Sequence, residues 1–112
     1  MQYALLIYGS DEGGWDELSP EEQQAQMQEY VAIGRLPNTK GSAELEELST
    51  ATTVRVKNGE TVTTDGPFAE TKEYLGGLYL VDCDNLDEAI AIAARIPAAQ
   101  RGAVEVRPVV QR

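Results

Sequence analysis

Four side chains in the second half of this chain have the types and spacing that acid–base and anion chemistry uses. Asp65 opens the run Asp65-Gly66-Pro67-Phe68-Ala69-Glu70-Thr71-Lys72-Glu73, and Arg107 sits in the last apolar segment. A carboxylate held at a cleft mouth by a stiff Gly-Pro turn can serve as a base or anchor a substrate, because desolvation there raises its pKa into a working range. The competing reading is structural. Asp65 would bond its own backbone in an Asx-turn, Gly66 would supply unusual φ, Pro67 would fix the bend and Phe68 would plug the core. Turn chemistry leaves Glu70-Thr71-Lys72 without a reason. Glu70 and Lys72 point the same way if their segment is extended, which suits an ion pair tuning Asp65, or a lysine holding an anionic substrate. A solvated pair contributing about 0–1 kcal/mol is the alternative. Arg107 has the fork geometry for a bidentate carboxylate contact, or for an interface salt bridge. Tyr8 and Tyr79 could offer hydroxyls to the same space, against the alternative of simple core burial. Trp15, in the loop after the first apolar segment, either lids the cleft or packs that loop down.

Other chemistry is excluded by what the chain lacks. It has no histidine, which removes His-dependent triads and imidazole metal sites. Its one cysteine, Cys83, rules out an internal disulfide and a thiolate metal cluster. Acids flank Cys83, so its thiol should stay protonated and inert. The stretch Asp82 to Asp87 resembles a calcium loop but lacks the glycine at its sixth position, and Ala93 stands where a closing glutamate belongs. Gly76-Gly77 leads into a strand, not a helix, and so is no phosphate loop. Glu44, Glu46 and Glu47 read as a solvated acidic face. Neither a metal nor an organic cofactor is expected.

Charge narrows the partners. Nineteen acids against nine bases give −10, and residues 1–34 carry seven of the acids and no base. Such a surface repels phosphate backbones and no basic run interrupts it, so nucleic acid is not an expected partner. The apolar start, Tyr3 to Tyr8, lacks a basic flank and is too short for a signal peptide or a membrane span. A soluble, cytoplasmic protein is expected, with no membrane partner. At 112 residues, with 42% hydrophobic and 25% charged, it fits one globular domain spanning 1–112.

The elements that must position these residues follow from pattern. Tyr3 to Tyr8 is a continuous apolar run, read as a strand buried on both faces. After a Gly- and Asp-rich loop from Gly9 to Leu18, Ser19-Pro20-Glu21-Glu22 starts a helix as a capping box with Pro at N1. Met27, Tyr30, Val31 and Gly34 give its 3–4 spacing, and Pro37 stops it. Lys40 to Leu45 is a weak strand candidate. Thr52 to Lys57 and Glu60 to Thr63 flank Asn58-Gly59, the pair a type I′ hairpin requires. Gly77 to Asp82 is a second apolar strand. Asn85 caps the next helix with Glu88 at N3, its stripe is Leu86, Ala89, Ile90, Ala93 and Ile96, and Pro97 ends it. Ala103 to Val110 closes the chain, with Val104 and Val106 on one side and Glu105 and Arg107 on the other.

The order β-α-β, inserted hairpin, β-α-β is that of an α+β, ferredoxin-like split motif. Two helices can cover only one face of its sheet. The first strand puts Leu5 and Ile7 on one side and Leu6 and Tyr8 on the other, and the third alternates Leu78 and Leu80 with Tyr79 and Val81, so apolar groups on the uncovered face need another layer. A second copy packed sheet to sheet is the expected source, making a homodimer with a cleft; a long loop roofing that face is the alternative.

The nine residues Asp65 to Glu73 resemble the signature of the DGPF branch of YCII-related proteins. Leu5 to Tyr8, Ser19 to Glu22, Thr50 to Val56, Leu75 to Asp82, Ala94 to Pro97 and Val104 to Pro108 corroborate it. The resemblance implies a dimeric α+β barrel, largely uncharacterised biochemistry, and for some members a link to extracytoplasmic-function sigma factors. Residues Arg35 to Leu48 depart from the family's Gly-rich second strand with its Gln-Pro pair. Relatives with proposed activity, including a dehydrochlorinase-like one, are associated with a His–Asp pair, and this chain has no histidine. The resulting expectation is a small-molecule-binding dimer, a lyase or isomerase with Asp65 as catalytic base and Glu70, Lys72, Arg107 and Tyr8 binding substrate. A non-enzymatic interaction module, or an inactive remnant of an enzyme family, is the alternative.

Overall fold

Leu5 and Val81 have no exposed surface, and the sheet is organised around the row they define. The computed structural model describes residues 1–10 and 14–112, so part of the expected Gly9 to Leu18 loop lies outside the described residues. Strands β1 (Gln2–Ser10), β2 (Thr39–Glu44), β5 (Glu73–Asp82) and β6 (Ala103–Pro108) form one antiparallel sheet in the order β2-β5-β1-β6. Helices α1 (Pro20–Gly34) and α2 (Leu86–Arg95) connect its strands in the ferredoxin-like manner. Strands β3 (Thr52–Lys57) and β4 (Glu60–Asp65) form a separate two-stranded sheet, inserted between β2 and β5.

Local chemistry sets the ends. The Ser19 side chain accepts from the Glu22 backbone N–H at 3.2 Å while the Glu22 carboxylate accepts from the Ser19 N–H at 3.1 Å, completing the capping box. Asn85 accepts from the Glu88 N–H at 2.9 Å, and α2 ends at Arg95, two residues before Pro97. Asn58 (φ 53°) and Gly59 (φ 80°) take the positive φ values that a type I′ turn demands.

The core lies between the sheet and the helices. Tyr3 and Leu5 of β1, Tyr79 and Val81 of β5, Cys83 just after it, Ile33 of α1, and Ala89, Ile92, Ala93 and Ile96 on or beside α2 are its buried members. Each helical stripe matches the expected one only in part. On α1, Ile33 is fully buried and Tyr30 packs against the core, while Met27 and Val31 are exposed. On α2, Ala89, Ala93 and Ile96 of the expected stripe are buried, while Leu86 and Ile90 are exposed and Ile92 is buried in their place. Apolar residues line more than one side of each helix, so spacing alone does not say which side meets the sheet.

Strand β1 is also not buried on both faces. Its other row, Ala4, Leu6 and Tyr8, is only half-buried, as are Leu78 and Leu80 beside it on β5. The chain measures 45 × 42 × 19 Å. A thickness of 19 Å holds one sheet and one helical layer, since layers pack about 10 Å apart. No described loop roofs the bare face. The radius of gyration, 16.0 Å, exceeds the roughly 13 Å of a compact chain this long, because the β3–β4 hairpin stands out from the body.

Candidate functional site

The bare face is built by strand alternation. Register places Leu6 between Leu78 on one side and Glu105 on the other, and Ala4 between Leu80 and Arg107. Ala43 of β2 extends the row beyond Leu78. The centre is therefore aliphatic and its β6 margin is charged.

Tyr8 lies at one end of this face, half-buried, opposite Leu75 and Ala103. A register shift separates the pairs Ile7–Gly77 and Tyr8–Leu75, so an extra β5 residue sits beside Tyr8. Gly102 lets the start of β6 come close: a Cβ there would run into the Tyr8 carbonyl oxygen. Tyr79 is on the opposite, core side. Its hydroxyl donates to the Tyr30 carbonyl at 2.8 Å, and burial pushes its pKa up to about 12. Tyr8 and Tyr79 therefore do not share a space.

Arg107 is exposed on the bare face, and its guanidinium is already engaged. Nε donates to Glu105 Oε2 at 2.6 Å, two residues back on the same strand. An incoming carboxylate would compete with that contact. The pair also explains how an arginine sits beside Ala4: its charge is neutralised within β6.

Asp65 ends β4, exposed at the root of the hairpin. The backbone next to it is pinned: the Gly66 N–H donates to the Ala51 carbonyl at 2.7 Å, and Thr53 Oγ1 donates to the Gly66 carbonyl at 2.7 Å. Gly66 has φ 98°, a conformation that favours glycine. The turn is thus held by cross-strand bonds, and no Asx-turn bond from the Asp65 carboxylate is among the described residues' contacts. Phe68 does not plug the core. It is 79% exposed.

Glu70 and Lys72 are exposed in the irregular stretch between β4 and β5, and no ion pair joins them among the described residues. Since that stretch is not a strand, the alternation that would aim them together does not apply. Glu73 pairs with Ser10 and Arg107 with Ala4, so Arg107 lies about 20 Å along β1 from the hairpin's return to the sheet. One chain does not bring Arg107 to Asp65, Glu70 and Lys72. Trp15 opens a short 3-10 turn and is 39% exposed, with its carbonyl accepting from Gln23 at 2.9 Å. Cys83 is buried, and burial above all, with Glu88 nearby, raises its thiol pKa.

Among the described residues no group of three or more His, Cys, Asp or Glu side chains could hold a metal ion. No described helix is long and apolar enough to cross a membrane. The family model described as the YCII-related domain matches residues 1–112. An uncharacterised protein of Rhizobium meliloti is 42% identical over 114 residues, covering 96% of this chain and 91% of the relative.

Proposed function

The chain belongs to the YCII-related family, and from that premise we propose that it works as a homodimer whose two bare sheet faces enclose a small-molecule cleft. One observation carries the reading: Ala4, Leu6, Tyr8, Leu78 and Leu80 form an aliphatic and aromatic face over which the described residues place no layer, in a body only 19 Å thick. Removing such a face from water is favourable by about 25 cal/mol per Å², and a second copy offers the complementary surface. The segment Asp65 to Glu73 marks the chain as one of the DGPF branch and supplies polar groups at the cleft mouth. Asp65 is the base, and Lys72, Glu70, Arg107 and Tyr8 orient the substrate. A carboxylate base without histidine suits proton abstraction beside a carbonyl or elimination, the chemistry of an isomerase or lyase. A single buried thiol fits the reducing cytoplasm as its compartment.

Thermal-shift screening of carboxylate and carbonyl metabolites against the wild-type protein and Asp65→Asn tests this. The expected result is a ligand that raises the melting temperature of the wild-type protein and shifts the variant less. No shift in either protein across the screen overturns the cleft.

A second reading is favoured by a different surface. Residues 1–34 carry seven acids and no base, and Met27 and Val31 are exposed on α1 beside Gln24 and Gln28. That mixture suits docking to a basic protein partner, such as an extracytoplasmic-function sigma factor. Capture of such a partner at low salt, lost with Val31→Glu, would support it, and no capture at low salt would overturn it.

A further inference from the structure

The β3–β4 hairpin is an orphan within its own chain. Every residue from Val54 to Asp65 is exposed. A lone two-stranded hairpin is marginal in water and needs a further strand, a helix or another surface to pack on. Among the described residues its own body supplies none: a body 19 Å thick has no third layer, and the bonds of Gly66 to Ala51 and of Thr53 to Gly66 close the hairpin's own root without tying it to the four-stranded sheet.

The two sides of the hairpin differ. Register pairs Thr52 with Asp65, Val54 with Thr63 and Val56 with Thr61, and paired residues share a side. That side is uncharged valine and threonine from Val56 to Thr52, and it ends in Asp65. The other side carries Arg55 opposite Val62 and Lys57 opposite Glu60. An uncharged side about 13 Å long is what an aliphatic sheet would accept. Charge favours the same partner: residues 52–64 carry two bases and one acid, and the rest of the chain seven bases and eighteen acids. The hairpin therefore meets a body of its own kind with attraction.

We infer that the hairpin acts between copies: its Val54–Val56 side lies along the bare sheet of a second copy and carries Asp65 to that copy's Leu6, Tyr8 and Leu78. This rests on the dimer proposed above and deepens it. The cleft becomes composite, with the carboxylate from one chain and the apolar floor and tyrosine from the other. Two-fold symmetry repeats the contact, so each dimer has two such sites. The arrangement accounts for the separation of Asp65 from Arg107 within one chain, since the chain that provides Asp65 need not provide the arginine.

Cross-linking of full-length chains tests it, with Cys83, itself buried, as a silent background. Val54→Cys chains are mixed with Ala43→Cys chains and treated with a short bis-maleimide, alongside sedimentation of the same mixture. Ala4→Cys replaces Ala43→Cys in a second mixture, in case either variant folds poorly. The expected result is a covalent dimer in at least one mixture, above the level of each variant alone. It should be lost when the arm cysteine is moved to the other side as Arg55→Cys. Sedimentation as dimers without a mixed cross-link overturns the hairpin contact while leaving the sheet-to-sheet dimer standing. Sedimentation as single chains overturns both.

Discussion

Tyr79 shows how environment settles two readings that residue type alone leaves open. A tyrosine on an apolar strand can serve a cleft or a core, and register decides: Tyr79 faces Leu5, so it points to the helices and bonds the Tyr30 carbonyl. Its hydroxyl is neutral in the fold up to about pH 12, against an ordinary value of 10.0 that the unfolded chain keeps. The sign follows from proton linkage. The folded state holds a proton that the unfolded state releases, so the stability from this phenol is complete below pH 10 and is lost as the pH rises towards 12. Denaturation midpoints should therefore fall across that window, with Tyr79 ionising late in an absorbance titration. Tyr79→Phe should flatten the dependence and cost about 1 kcal/mol for the lost hydrogen bond. Ionisation of every tyrosine near the ordinary value would refute the assignment. Asp65 is the opposite case, since neither the Asx-turn nor the buried phenylalanine that the motif suggested is formed. The motif's conformation depends on Ala51 and Thr53, which are distant in sequence from Gly66, and a local reading could not include them.

At the scale of elements, what was legible in the sequence is what local chemistry decides. Ser19 and Asn85 cap their helices, Asn58-Gly59 turns the hairpin, and the order of strands and helices leads to the observed sheet. Which side of a helix faces inward was legible only in part: Ala89, Ala93 and Ile96 of the α2 stripe are buried, but Leu86 and Ile90 are not. Leu86, Ile90 and Ile92 are equally apolar, and the choice among them depends on where α2 crosses the sheet. That choice has an energetic consequence. Ile92→Ala removes a side chain 8% exposed and should cost about 2–5 kcal/mol through lost burial and a cavity. Ile90→Ala, at a position 47% exposed, should change stability by no more than about 0.5 kcal/mol. Chemical denaturation of the two variants checks this, and equal losses would mean that α2 packs by the stripe that spacing alone suggests. The exposed Arg95–Glu29 contact between the helices, at 2.8 Å, contributes little beside these apolar residues.

For the whole molecule, the question is what a half-finished sandwich does in water. Helices finish one face of the four-stranded sheet, and the other face keeps Leu6, Leu78 and Leu80 only half-buried. Their exposure comes from the missing layer, not from poor packing, so a charge placed there should leave the folded chain intact. Leu78 sits at the centre of that face, between Leu6 and Ala43. In a sheet-to-sheet dimer, Leu78→Glu would bury a carboxylate on each copy without a cation to meet it. A buried unpaired charge costs about 3–5 kcal/mol, so the dissociation constant should rise at least about 100-fold. Sedimentation should then find single chains at concentrations where the wild-type protein is paired, while the far-ultraviolet circular dichroism of the two matches. Two substitutions separate this cause from general damage. Ile92→Ala should lower stability without separating the copies at temperatures where it stays folded, and Leu78→Met, which keeps the volume and polarity of the face, should leave pairing unchanged. If Leu78→Glu remains paired like the wild-type protein, the bare face is not the surface through which copies meet, and the apolar cleft has no second wall.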